Sequence, residues 1–253
     1  MTTHDASGRH LAEIAASLDA QFEKLELAER LSLAGELGRA VFTTSLGLED
    51  QVIAAEIGIG RLNIAVATLE TGRLFPETLA LMEETEDRFG ISISRFRPEQ
   101  AEIDTYAARY GLNGFYESVE ARHACCHIRK LNPLARALDG ASVWITGLRR
   151  SQSGNRAATP FVEYDTERDL LKVNPLADWS LEQINAYVDA QAVPVSPLHK
   201  RGYPSIGCEP CTRAIKPGEP ERAGRWWWEN DEKRECGLHV AETAAAPLNS
   251  SSI

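Results

Sequence analysis

Five cysteines are the residues of this sequence best suited to chemistry. Cys125 and Cys126 are adjacent, Cys208 and Cys211 form a Cys-x-x-Cys pair, and Cys236 stands alone. Four thiolates are soft ligands that suit an iron–sulfur cluster or a tetrahedral zinc ion. Adjacent cysteines fit one tetrahedral ion poorly, whereas a cubane cluster offers separate iron corners, so geometry favours the cluster. Two buried free thiols beside a redox-active Cys-x-x-Cys pair remain an open alternative.

The fifth cysteine lies in a setting that favours nucleophilic attack. Cys236 follows Lys233 and Arg234 and precedes His239 by three residues. Neighbouring cations lower the pKa of a thiol and so make the thiolate available. The alternative is an incidental exposed cysteine.

Three turns rich in glycine, hydroxyl groups or arginine follow predicted strands, at residues 43–50, 68–76 and 146–150. Ligands of open α/β sheets bind at the carboxyl ends of the strands, so these turns are expected to meet at one crevice. Residues 43–50 lead from strand into helix, and a helix N-terminus offers backbone N–H groups to a phosphate or sulfate. Such turns also occur without a bound anion, so the first turn alone leaves both interpretations open.

Cationic side chains in the second half of the chain are candidates to neutralise an anionic ligand. Lys130 lies four residues after Cys126 on one face of a predicted helix, where its ammonium would offset thiolate or cluster charge. Guanidinium groups match phosphate and sulfate oxygens. The candidate arginines are Arg149, Arg150, Arg156, Arg222 and Arg225. The alternative for each of them is an ordinary solvated charge.

Alternating apolar and amphipathic segments must position these residues. Residues 9–37 have helical apolar spacing and predict one broken or two short helices. From residue 39 the pattern predicts the alternating strands and helices of a parallel sheet. Strands are predicted at 40–44, 62–69, 91–96 and 142–146, a hairpin at 161–173, and helices at 49–57, 76–89, 124–138 and 181–190, the last with Ser180 as N-cap. Residues 193–225 hold six prolines and predict an extended loop, and residues 241–253 predict a disordered tail.

The composition disfavours several classes of protein. The 253 residues hold 27 Lys and Arg against 37 Asp and Glu, a net charge of −10. Nucleic acid is therefore a poor partner, because nonspecific binding needs a basic surface. No apolar stretch approaches the roughly 18 residues of a membrane span. The N-terminus carries neither a secretory nor a transit signal, so we predict a cytoplasmic protein without structural disulfides.

Taken together, these motifs resemble one family of enzymes. The resemblance rests on Cys125-Cys126 followed by Arg129-Lys130, on Thr-Gly-Leu-Arg-Arg at 146–150, on the Cys-x-x-Cys pair, and on Glu-Cys-Gly-Leu-His at 235–239. They are similar to those of assimilatory adenylyl-sulfate (APS) reductases, relatives of the phosphoadenylyl-sulfate (PAPS) reductases. The paired cysteines mark the branch that bears an iron–sulfur cluster. The resemblance spans about residues 38–240. It strongly favours a cluster over zinc as the group that the four cysteines hold.

The resemblance implies an α/β fold of the adenine nucleotide α-hydrolase type, a PP-loop-like parallel sheet with a helical N-terminus and a loop-rich C-terminal segment. Its parts would be a helical segment (1–37), a nucleotide-binding core (38–192), a cysteine-bearing loop with the catalytic C-terminal segment (193–240), and the tail (241–253). Residues 43–50 would form a degenerate pyrophosphatase loop, since they lack the Ser-Gly-Gly run of ATP-using relatives.

The resemblance also implies a reaction in sulfate assimilation, the route to cysteine. Adenosine 5′-phosphosulfate would be reduced to sulfite and AMP. Cys236 would attack the sulfur and expel AMP, and thioredoxin or glutaredoxin would release sulfite from the resulting S-sulfocysteine. The residues agree with this scheme, because a sulfuryl sulfur needs a soft anionic nucleophile and cations around its oxygens.

Carried over by matching position, the functional residues fall into three sets. Those that would ligate a [4Fe-4S] cluster of electrostatic and structural role are Cys125, Cys126, Cys208 and Cys211. Those that would contact the phosphosulfate are Lys130, Arg222, Arg225 and His239. Those that would line the nucleotide site are Thr44, Leu69, Gly147 and Arg156.

Other interpretations stay open. The 3′-phosphorylated nucleotide is an alternative substrate, alone or beside the unphosphorylated one, although the cluster cysteines favour the latter. An ATP-using transferase of the same fold would need an intact phosphate loop and has no use for Cys236. A zinc-stapled nucleotide-binding module would not be an enzyme. A homo-oligomer is also open.

Overall fold

The computed structural model describes residues 3–229 and shows a six-stranded sheet with helices on both faces. The strands are β1 Ala40–Thr44, β2 Ala65–Leu69, β3 Ile93–Phe96, β4 Val143–Ile145, β5 Val162–Asp165 and β6 Leu170–Val173. The helices are α1 Thr3–Phe22, α2 Leu27–Glu36, α3 Leu48–Gly60, α4 Pro76–Phe89, α5 Gln100–Tyr110, α6 Val119–Cys126, α7 Asn132–Ala137 and α8 Leu181–Gln191. Within the described range, no helix combines the length and the apolar character that a bilayer crossing requires.

The strand order places the ends of β1 and β4 side by side. The order is β3-β2-β1-β4-β6-β5, and every neighbouring pair is parallel except β5 and β6. From β1 the chain builds outward to β2 and β3 on one side, then crosses to β4 on the other. A crevice forms outside the carboxyl ends of the strands at such a switch point. The predicted parallel sheet and hairpin are confirmed, and β5 adds an antiparallel edge.

Alternate residues of the central strands enter two separate hydrophobic cores. On β1, Ala40 and Phe42 belong to the larger core and Val41 to the smaller. Helices α1, α2, α3, α4 and α8 contribute to the larger core, and α7 packs on the opposite face through Leu134 and Ala137. Strands buried on both faces carry nearly continuous apolar runs, which is why the sequence pattern marked them.

The N-terminal segment, predicted as one broken or two short helices, forms two helices that are tied to the far edge of the sheet. The buried guanidinium of Arg30 donates to both carboxylate oxygens of Asp178 at 2.8 and 3.1 Å. Asp19 on α1 accepts the backbone N–H groups of Phe161 and Val162, at 2.7 and 3.1 Å, where edge strand β5 begins. Helix α1 therefore contacts the sheet edge directly.

Two helical regions differ from the prediction. Helix α5 was not predicted at all. The helix expected at 124–138 is divided into α6 and α7 by the π-helical turn His127–Leu131. The Asn132 N–H bonds to the carbonyl of His127, five residues back, and Pro133 has no N–H with which to continue a regular helix. The proline thus explains the change in helical pitch.

Candidate active site

A cleft opens at the carboxyl edge of the sheet, where β1, β2 and β4 end. The turns after these strands line one side, and loop residues between 204 and 226 line the other. Seven of the eight residues predicted to contact substrate line it: Thr44, Leu69, Lys130, Gly147, Arg156, Arg222 and Arg225. The eighth, His239, and the predicted nucleophile Cys236 lie outside the described residues. The structure thus brings the three predicted turns to one crevice.

Two of the candidate arginines do not line the cleft. Arg149 is 1% exposed, and its Nε donates to Glu49 Oε1 at 2.7 Å. Arg150 donates through Nε to the carbonyl of Thr159 at 2.8 Å and covers the ring of Phe161. The expectation of five lining arginines was therefore wrong for these two, since both side chains fold back onto the protein. Arg149 instead fixes the carboxylate of Glu49 at the rim of the cleft.

In the turn after β1, side chains of the same segment accept hydrogen bonds from the backbone N–H groups. Asp50, in the first turn of α3, accepts the Ser45 backbone N–H at 2.5 Å and the Ser45 hydroxyl at 2.7 Å, both on Oδ2. The Leu46 N–H donates to Thr44 Oγ1 at 2.9 Å. Side chains that bond nearby backbone groups in this way shape a turn without any ligand. The structure therefore supports the anion-free interpretation of these two amides, and Thr44 also shapes the turn.

Asp50 gives the protein a specific pH dependence. Burial raises the pKa of Asp50 from 3.8 to about 6, although the bonds from Ser45 oppose this shift. A carboxyl whose pKa is higher in the folded state loses its stabilising contribution as pH rises from about 4 to 6, a cost of about 3 kcal/mol. Asp50→Asn removes the charge and keeps an acceptor oxygen. We expect its free energy of unfolding, relative to wild type, to increase by up to about 3 kcal/mol between about pH 4 and pH 7 in urea denaturation. A difference that does not change with pH would contradict this.

Gly147 leaves room for the Asp50 carboxylate. A Cβ at Gly147 would lie 2.2 Å from Asp50 Oδ1, and one at Gly154 would have nothing within 4 Å. We expect Gly147→Ala to displace the carboxylate from Ser45 and to lower the free energy of unfolding by about 2 kcal/mol. Gly154→Ala is the matched control and should stay close to wild type in the same urea denaturation. Equal stability of the two variants would contradict the assignment.

The four predicted ligand cysteines meet beside the cleft. Cys125 and Cys126 end α6, Cys208 and Cys211 come from the loop, and all four line one small cavity at 7–8% exposure. The π-helical turn follows the vicinal pair directly, and such turns concentrate at functional sites. The predicted set of four ligands requires the end of one helix and a distant loop to lie side by side, as they do here.

The surroundings of this cavity fit a sulfur-rich, negatively charged group. Three buried donors around the cysteines have no hydrogen-bond partner among residues 3–229: Tyr106 Oη, Arg129 Nε and Trp226 Nε1. A buried donor left without a partner costs about 1–3 kcal/mol, so acceptors are missing here. Thiolate and sulfide atoms are acceptors of this kind. The cations that line the cavity are Arg73, Arg122, Arg129 and Lys130.

Two of these thiols, those of Cys125 and Cys211, resist ionisation in their buried positions. Burial, followed by the charge of Cys208, raises the pKa of Cys211 to about 12. Burial also raises the pKa of Cys125, against the opposing effect of Arg129. Metal binding would have to displace these protons. Within residues 3–229, no three His, Cys, Asp or Glu side chains are placed to hold one metal ion.

The cleft and the cysteine cavity share a wall. Lys130, Cys208 and Trp226 line both spaces. The Trp226 ring is 1% exposed, and the guanidinium carbons of Arg122 and Arg225 pack over it at 4.8 and 4.7 Å from its centroid. Arg225 of the cleft thus packs against Trp226 of the cavity wall, so the two predicted sites are adjacent.

Sequence reasoning missed four residues near these sites. Glu49, Asp50 and Glu221 line the cleft, and burial, then the charge of Glu49, raises the pKa of Glu221. Glu49 and Asp50 looked like ordinary acidic residues of a first helical turn. Thr71 Oγ1 lies 3.3 Å from Cys208 Sγ, a contact that no local pattern predicts.

Comparisons with known proteins identify the family of the chain. The sequence model of the phosphoadenosine phosphosulfate reductase domain matches residues 39–214. The adenosine 5′-phosphosulfate reductase of Agrobacterium fabrum is 74% identical over 233 residues, 92% of this chain and 90% of that protein. That of Allochromatium vinosum is 56% identical over 209 residues, 83% of this chain and 82% of that protein.

A solved structure is also similar. The crystal structure of phosphoadenylyl-sulfate (PAPS) reductase from Candida auris, as a phosphate complex, has a TM-score of 0.66 and 27% identity to this chain. The match covers 78% of this chain and 95% of that one. The predicted PP-loop-like α/β fold class is thereby confirmed.

Proposed function

Because the chain belongs to the phosphoadenosine phosphosulfate reductase family and is an oxidoreductase, we propose that it reduces adenosine 5′-phosphosulfate to sulfite and AMP in sulfate assimilation. The observation that carries this proposal is the shared wall. A cleft at the carboxyl edge of the sheet lies against a cavity of four cysteines, and Lys130 lines both. The names of the curated relatives favour the unphosphorylated nucleotide over its 3′-phosphorylated form.

The cleft supplies groups for both ends of the substrate. In our proposal Thr44, Leu69 and Gly147, at the strand ends, contact the nucleoside, together with Arg156. The guanidinium of Arg156 donates to Gln152 Oε1 at 2.5 Å, which orients it at the rim. The phosphosulfate is contacted by the cations nearest the cysteine cavity, Lys130, Arg222 and Arg225, and by His239. Positive charge there neutralises the sulfuryl oxygens and the departing phosphate.

The chemical steps then use one thiol of this chain and a dithiol partner. The Cys236 thiolate attacks the sulfuryl sulfur, the bond from sulfur to the AMP phosphate oxygen breaks, and AMP leaves with that electron pair. An S-sulfocysteine remains on Cys236. A thiolate of thioredoxin or glutaredoxin attacks Sγ of Cys236 and sulfite departs with the bonding electrons. The second thiol of the partner resolves the mixed disulfide, so the partner is oxidised and Cys236 is restored.

We further propose a [4Fe-4S] cluster on Cys125, Cys126, Cys208 and Cys211. The fit rests on the three buried donors and the four cations around the cavity. When bound, the cluster would supply a fixed local charge and a covalent staple between α6 and the cysteine loop. The electrons that reach the substrate come from the dithiol partner.

The test is a comparison of two nucleotides on anaerobically purified protein. Sulfite release is measured with thioredoxin, its reductase and either adenosine 5′-phosphosulfate or the 3′-phosphorylated form, beside analysis of iron, acid-labile sulfide and zinc. We expect about four iron and four sulfide per chain and a higher kcat/KM for the unphosphorylated nucleotide. No sulfite from either nucleotide would overturn the function. A higher kcat/KM for the phosphorylated form would reverse the substrate assignment. Stoichiometric zinc would show that the protein holds zinc and not the proposed cluster.

A further inference from the structure

We infer that the Tyr106 hydroxyl donates a hydrogen bond to a sulfur atom of the group held by the four cysteines, and so acts as a positioning residue for that group. The inference rests on the cluster proposed above. Tyr106 is the one residue of α5 that is buried, at 6% exposure. Its Oη is fully buried and has no hydrogen-bond partner among residues 3–229. Buried hydroxyls in folded proteins are almost always bonded, so a partner is to be expected here.

The packing around Tyr106 indicates where that partner comes from. Tyr106 belongs to the same packed cluster as Cys125, Cys208 and Cys211, together with Trp226. The cysteines of this cluster are therefore candidate acceptors, because sulfur accepts hydrogen bonds from hydroxyl groups. A tyrosine hydroxyl ordinarily ionises only at about pH 10, so it carries its proton at neutral pH and is able to donate it.

The chain approaches the Tyr106 hydroxyl closely at Gly114. A Cβ at Gly114 would lie 3.4 Å from Tyr106 Oη and 2.6 Å from Tyr110 Cβ. Gly114 begins the 3-10 turn Gly114–Tyr116, and its lack of a side chain lets this turn press against α5. The close approach of Gly114 fills part of the space around the hydroxyl, which is consistent with an acceptor among the packed cysteines.

A neighbouring tyrosine provides a matched control. Tyr110 lies four residues further on the same helix, and its ring centroid is 5.3 Å from that of Tyr106. Its hydroxyl is already bonded, donating to Glu120 Oε1 at 2.8 Å at the protein surface. Tyr106→Phe and Tyr110→Phe therefore each remove one oxygen from adjacent rings, and only the first oxygen is buried without a partner among residues 3–229.

The bond has two measurable consequences. A hydrogen bond to a ligand sulfur withdraws electron density from it and changes the stretching frequency of the iron–sulfur bond, and this change depends on whether the bond carries hydrogen or deuterium. The bond also helps to retain the group. Its loss removes about the free energy of one hydrogen bond, which corresponds to roughly fivefold faster release of iron. In iron-free protein the hydroxyl has no acceptor, so its removal costs no stability there.

The experiment compares wild type, Tyr106→Phe and Tyr110→Phe, all purified without oxygen. We measure resonance Raman spectra in H2O and D2O, the rate of iron release to a chelator, and thermal melting of the iron-free chains. We expect Tyr106→Phe to lose part of the isotope shift of an iron–sulfur stretching band and to release iron about fivefold faster. Tyr110→Phe should match wild type in both, and iron-free Tyr106→Phe should melt no lower than iron-free wild type.

Each other result overturns the inference. An unchanged isotope shift and release rate in Tyr106→Phe would mean that the hydroxyl bonds a trapped water or nothing. A lower melting temperature of iron-free Tyr106→Phe would assign the residue a packing role. Wild-type protein that holds neither iron nor sulfide would overturn this inference together with the proposed cluster. Iron in wild type with unaltered Tyr106→Phe spectra would overturn the inference alone.

Discussion

Cys236→Ser is expected to form no measurable sulfite, with kcat lowered by at least about 10³-fold, while the protein keeps its iron and still binds nucleotide. A serine hydroxyl is not ionised near neutral pH and is a hard nucleophile for a sulfuryl sulfur. A sulfated serine would also lack the sulfur–sulfur bond that a dithiol attacks. The substitution therefore blocks both halves of the proposed reaction. The measurement is sulfite release with thioredoxin, beside iron analysis and AMP binding.

A second measurement identifies the intermediate directly. Wild-type protein mixed with adenosine 5′-phosphosulfate, but with no dithiol, should release AMP once and retain one SO3 group per chain. Mass spectrometry should place that group on the peptide that contains Cys236, and Cys236→Ser should show none. Sulfite formation by Cys236→Ser at a rate near that of wild type would refute the nucleophile assignment.

Cys208→Ser is expected to lose most of its iron and at least about 100-fold in activity. Cys208 lies in the wall shared by the cleft and the cysteine cavity, where Thr71 Oγ1 approaches its sulfur at 3.3 Å. Serine offers a hard, protonated oxygen in place of a soft thiolate, which leaves one iron corner poorly held. Residues 192–229 contain only short 3-10 turns as regular helix, so the loop depends on its anchor. Iron and sulfide analysis, the visible spectrum and sulfite release measure the effect.

The two cysteine variants control for one another. Cys236→Ser should be inactive and retain iron, whereas Cys208→Ser should be inactive because it has lost iron. Full activity of Cys208→Ser without bound iron would refute the cluster ligand set. Stoichiometric zinc in wild type would show that the four cysteines bind a structural zinc ion instead.

Local signals in the sequence were enough for the elements whose apolar pattern is strong. Strand β1 and helix α4 begin and end where the pattern predicted. Ser180 caps α8 as expected, accepting the Gln183 N–H at 3.2 Å while Gln183 Oε1 accepts the Ser180 N–H at 2.8 Å. Helix α5 escaped prediction because it buries a single residue, so its sequence shows no apolar stripe.

The site was predictable where residue type alone implied chemistry. Soft thiols and a nearby lysine pointed to a shared centre, and the structure brings Lys130 to the cysteine cavity. Arg149 and Arg150 were misplaced because a guanidinium turned inward looks the same in sequence as one turned outward. The Asp50 bonds to Ser45 and the buried Tyr106 hydroxyl depend on chain segments meeting in space, which no spacing rule contains.

The contact of Asp19 with the start of strand β5 bears on how copies of this chain associate. The outermost strand of a sheet offers unpaired backbone groups to other molecules and is a common starting point of aggregation. Asp19 occupies two such N–H groups, those of Phe161 and Val162, where β5 begins. Helix α1 thus covers the start of the edge strand, and we expect it to oppose edge-to-edge association. We expect a chain that lost α1 to expose this strand edge to other copies.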